Sequence, residues 1–92
     1  MSLLTFAIAN QLADDACGPA WGSQLRKDTK RGRIARAARS AAASALIRHL
    51  GDVPPGEWHY AAPGFEERLA VARSVASTAF EAEVEYLRSH GA

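Results

Sequence analysis

Few residues in this chain have the types and spacing that chemistry needs. The three histidines, His49, His59 and His90, stand far apart, and Cys17 has no second cysteine to pair with. Metal centres draw on His, Cys and carboxylate ligands at short helical or loop spacings. No His-x-x-x-His and no Cys pair is present. Glu81 and Glu85 share one helix face, as a general acid–base pair would. That face is the polar one, where two carboxylates stay solvated. Ser40 and Ser44 have no base at helical spacing, because His49 lies off the face of Ser44. Gly18 and Gly22 are not followed by the Gly-Lys-Ser or Gly-Lys-Thr of a phosphate loop. Cys17 has no basic neighbour in sequence to activate a thiolate, and reads as a small buried apolar residue. The chain is therefore read as non-enzymatic, with no catalytic residue, no metal ligand and no cofactor.

A stretch of basic side chains is the stronger signal. Seven of the eleven Lys and Arg residues fall between positions 26 and 39: Arg26, Lys27, Lys30, Arg31, Arg33, Arg36 and Arg39. The net charge of +1 hides a partition, since residues 21–50 carry eight bases against one acid and residues 51–92 carry seven acids against three bases. Bases at a helix start oppose the partial positive charge of its free amides, at about a few tenths of a kcal/mol per exposed charge. A partner that needs the charges would explain why they stand there. Arg grips phosphate or carboxylate in a fork, and several such contacts give a nucleic-acid binder its salt-dependent affinity. The competing reading is a solvated face neutralised by an acidic third helix. The seven residues also point all round the helix, so no single groove-facing ridge is defined. Trp58 and Tyr60, beside the Pro-rich connection, are candidate interface aromatics; the competing role is to plug the open end of a helix pair.

The elements that must position these groups are helices. Ser2 can cap a first helix from about Leu3 to Ala16. Leu4, Ile8 and Leu12 form its apolar stripe, widened by Phe6, Ala9 and Ala13. Gly18-Pro19 should end it, leaving Trp21 in a connection as a lid on the core. A second helix begins near Ser23, or near Asp28 or Thr29, with Gly32 tolerated inside it or marking a fray. Ile34, Ala38, Ala41 and Ala45 line one side of it, and Leu46, Ile47 and Leu50 a different side. Pro54-Pro55-Gly56 breaks the chain, and a connection of about thirteen residues follows. A third helix from about Pro63 to His90 carries a stripe of Phe65, Leu69, Ala72, Ala76, Ala79, Phe80 and Leu87, with Val75 and Tyr86 on its shoulder. Glu83 falls within that stripe and should seek Arg36 or Arg39.

Ile34-Ala35-Arg36-Ala37-Ala38, followed by Leu46-Ile47-Arg48-His49-Leu50, resembles the helix-turn-helix of TetR-type repressors. That family's Gly-Val-Ser turn is replaced by Arg39-Ser40-Ala41, which does not break a helix. A continuous helix is expected, and the family's function is not carried over.

The expected fold is all-α over a single helical domain, residues 1–92. A short first helix joins an antiparallel hairpin of two long ones. A chain this short buries little surface, so the core is expected to be completed by dimerisation. No apolar run is long enough to span a membrane, and Asp14-Asp15 stand where a secretion signal needs small apolar residues, so a cytoplasmic protein is expected. The expected function is that of a small regulator or inhibitor docking on a macromolecular partner, protein or nucleoprotein. It would use the basic helix start and apolar helix faces. Direct nucleic-acid binding through residues 26–39 is the alternative, and a structural subunit of a larger assembly the second alternative.

Overall fold

A computed structural model describes residues 2–91. They form three α-helices, α1 (Leu3–Gly22), α2 (Lys30–Leu50) and α3 (Phe65–Ser89), with a 3-10 turn at Pro55–Trp58 and, among the described residues, no strand. Among the described residues, no helix is long and apolar enough to cross a membrane.

The Ser2 hydroxyl caps α1 by accepting from the Thr5 amide at 3.0 Å. Gly18 interrupts the helix with φ 63°, a conformation open to glycine but strained for other residues. Pro19 then starts one further turn, where its fixed φ and missing N–H are no handicap. Trp21 therefore sits on a kinked extension of α1 and not in a connection. The buried face of α1 is Thr5, Ala9, Leu12, Ala13 and Cys17. Phe6, expected to widen the apolar stripe, is instead exposed, and Leu4 is only half-buried.

Helix α2 starts at Thr29, whose hydroxyl accepts from the Gly32 amide at 3.0 Å. Gly32 is buried, and its role differs from the tolerated or fraying glycine expected. A Cβ there would stand 1.9 Å from the Lys27 carbonyl oxygen and 2.9 Å from that of Gln24. The connection 23–29 folds back over the first turn of α2, and only a hydrogen fits between them. From there α2 runs unbroken to Leu50. Its core stripe is Ile34, Ala38, Ala42 and Leu46, with Ala35 beside it. Ala42, not Ala41, carries the stripe on to Leu46, and Ile47 and Leu50 are half-buried against the core beside it.

Helix α2 packs against both α1 and α3, and more extensively than those two pack on each other. Ala9, Ala13, Ala38, Ala42, Ala72 and Ala76 are all buried, and such small side chains let helix axes approach closely. Leu12, Ile34, Leu46, Phe80 and Val84 fill the remaining space. At one end, the buried Thr5 hydroxyl donates to the Gly51 carbonyl at 2.5 Å and accepts from the Val53 amide at 3.2 Å, joining α1 to the chain leaving α2. At the other end, Trp21 meets Phe80 edge to face at 6.3 Å.

Gly64, with φ 74°, turns the chain into α3, where Glu66 and Glu67 suit the first turn and Arg88 the last. Arg68 donates to the Pro63 carbonyl at 2.8 Å and to the Glu57 carbonyl, tying the 3-10 turn to the helix. Ala72, Ala76, Phe80 and Val84 are the buried positions of α3. Tyr86 is exposed. Glu83 is half-buried but takes neither expected partner, because Arg36 and Arg39 are engaged elsewhere.

Candidate functional site

The seven basic residues separate into two groups. Arg36 and Arg39 are engaged within the chain, Arg36 at the surface and Arg39 half-buried. The Arg36 guanidinium donates to the carbonyls of Leu25 and Lys27, at 2.9 Å each, and so pins the connection onto α2. Arg39 donates from Nε to Asp14 at 2.5 Å, and Nη2 reaches the Asn10 side chain at 3.3 Å. The bond to Asp14 pushes the Arg39 pKa further up. Both cations serve the fold.

Arg26 and Lys27 on the connection, and Lys30, Arg31 and Arg33 on the first turn of α2, are exposed. Two local devices create this display. Thr29 fixes where the helix begins, and Gly32 with Arg36 fixes the connection above it. Arg33 approaches Asp28 at 3.9 Å with both side chains well exposed, a pair worth little. The Arg31 guanidinium lies 5.2 Å from the Trp21 ring centre. Among the described residues, the ion pairs these seven make are to Asp28 and Asp14, and no carboxylate of α3 is a partner.

Arg88 joins this end of the molecule, also 5.2 Å from the Trp21 ring centre. Sequence reasoning missed it as a site residue. Its place in the last turn of α3 was legible only as a complement to the helix dipole, and nothing local links it to Trp21. A groove of about 600 Å³ opens beside it between α1 and α3. Its floor is Ala16, Trp21, Phe80 and Val84, and Glu81 and Glu85 stand on its rim. The two carboxylates thus border an apolar groove that Arg88 also lines.

The candidate aromatics part company. Trp58 is half-buried and meets Phe65 edge to face at 5.9 Å, lining a second groove with Ile8, Leu12 and Leu69. Tyr60 is 80% exposed, with its ring tilted on His59 at 4.3 Å. Cys17 is buried, and burial first, then the charge of Asp14, pushes its thiol pKa up. That is the opposite of an activated thiolate. No group of three or more His, Cys, Asp or Glu side chains is gathered for a metal among the described residues. No protein-family model matches the chain, and neither a curated protein nor a solved structure is significantly similar to it.

Proposed function

We propose that this is a non-enzymatic regulator or inhibitor that docks on a macromolecular partner through the basic start of α2. The observation that supports this best is the display of Arg26, Lys27, Lys30, Arg31 and Arg33 at one end of the molecule, unpaired with the acids of α3. Had the run been only half of an internal charge balance, Glu81 or Glu85 would answer it. Arg36 also ties the backbone of the connection to α2, which limits the backbone ordering that binding would cost. Arg36 and Arg39 leave the contact set.

Two finer structural readings belong with this one. Arg31 near the start of α2 and Arg88 near the end of α3 both reach Trp21, which supports α2 and α3 as antiparallel arms of a hairpin. The second is a homodimer, in keeping with a chain too short to bury much surface alone.

The test is a comparative pull-down from the native cell. The wild-type chain should retain a partner that the triple variant Lys30→Glu, Arg31→Glu, Arg33→Glu does not. Equal retention by both would remove the basic end from the site. Direct nucleic-acid binding is the second reading, favoured by the same exposed cations. It requires duplex affinity that falls steeply with salt.

A further inference from the structure

The acids that fail to answer the basic end lie close to it. Trp21 is touched by Arg31 of α2 and by Arg88 of α3, so the basic end and the Glu81–Glu85 rim flank one indole. Within one chain the two charged surfaces stand side by side and do not pair. We infer that the groove of one chain receives the basic connection of a second copy, so that two chains pair reciprocally at their Trp21 ends.

The occupant follows from the chemistry of the groove. Its floor is apolar, formed by Trp21, Phe80 and Val84, and Glu81 and Glu85 line it together with Arg88, two acids against one base, so the groove is net negative. Long basic side chains suit both surfaces, because their methylene stems cover apolar atoms while their charged heads reach outward. Arg26, Lys27 and Lys30 are exposed and carry such side chains. A twofold axis between the two Trp21 ends sets each basic connection over the other chain's groove, giving the same contact twice, as a closed dimer requires. Pairing in this way covers the cations that would otherwise meet another macromolecule. Self-association and docking therefore compete, and the inference rests on the basic end being a docking surface.

The protein itself is the probe. Sedimentation equilibrium at low salt should show a dimer that dissociates as salt rises, since the screening length falls from about 30 Å at about 0.01 M to about 8 Å at about 0.15 M. Glu81→Lys with Glu85→Lys, and separately Lys27→Glu with Lys30→Glu, should each give a monomer. Mixed in equal amounts, the two reversed chains should pair with each other, because both contacts become attractive again. A wild-type monomer at low salt overturns the inference. So does a dimer that survives either reversal, and so does a mixture that stays monomeric. If circular dichroism shows that a reversed chain has lost helicity, Glu81→Gln with Glu85→Gln replaces it, and undiminished dimerisation is then the overturning result. The docking reading fails separately. The Glu81 and Glu85 variants leave the basic end intact and should retain the pull-down partner, whatever their state of association.

Discussion

Arg39 of α2 bonds Asp14 of α1 through Nε and also reaches Asn10, so the half-buried cation of the basic run belongs to the α1–α2 seam. Glu83 of α3 is left outside that network. Asp14 is more than half exposed, which places the pair among those that water screens. Asp14→Asn should lower stability by less than about 1 kcal/mol. Arg39→Ala should cost about 1–2 kcal/mol, because it loses the Asn10 contacts and the packing of its stem as well. Glu83→Gln should leave the melting temperature unchanged. A drop for Glu83→Gln equal to that for Arg39→Ala in parallel thermal melts would restore the cross-helix pairing expected from sequence.

Gly32→Ala separates local propensity from packing. Alanine is the better helix former by about 1 kcal/mol, so propensity alone forecasts a gain. The added methyl would meet the Lys27 carbonyl oxygen at 1.9 Å, and a backbone oxygen cannot move without opening the connection. A loss of about 1–3 kcal/mol is expected, together with loosening of the Arg36 bonds to Leu25 and Lys27. A rise in melting temperature would mean that the connection does not fold back on α2.

Thr5 is buried, and its hydroxyl serves both Gly51 and Val53. Thr5→Val keeps the shape but strands the Val53 amide, which should cost about 1–3 kcal/mol in urea unfolding. Thr5→Ser retains the hydroxyl and should lose less. Equal losses would assign the effect to packing.

Cys17 gives a pH dependence whose sign is defined. Burial raises its folded pKa above the ordinary 9.0, so the folded state holds the proton longer than the unfolded chain does. Its contribution is therefore flat below pH 9.0, and stability falls as pH rises past that value until the folded thiol ionises too. Cys17→Ala should remove this part of the alkaline loss. Identical alkaline slopes for both chains would place the loss on other groups.

The triple reversal Lys30→Glu, Arg31→Glu, Arg33→Glu should leave the unfolding free energy unchanged or raise it by up to about 2 kcal/mol. Acids suit a helix start, by about 0.3–1 kcal/mol each. Against that stands the contact of Arg31 with Trp21, worth about 0.5–1 kcal/mol when exposed. A large loss of stability with undiminished partner binding would make the basic run a structural feature.

Local chemistry decided much of this protein before any packing. Ser2 capping the first helix, the break at Gly18-Pro19, a third helix close to Pro63–His90 and the unbroken helix through Arg39-Ser40-Ala41 all follow from side chains acting on their own backbone. What sequence could not decide was phase and partnership. A helix as rich in alanine as α2 has no strong apolar side to read, so its core stripe is chosen by which neighbours press against it. The same holds for charge. All seven cations look alike in sequence, yet Arg36 meets carbonyls folded back by the space that Gly32 leaves, and Arg39 meets an acid on another helix. Their separation into fold-bearing and displayed groups depends on contacts between segments distant along the chain, and only the tertiary structure supplies those.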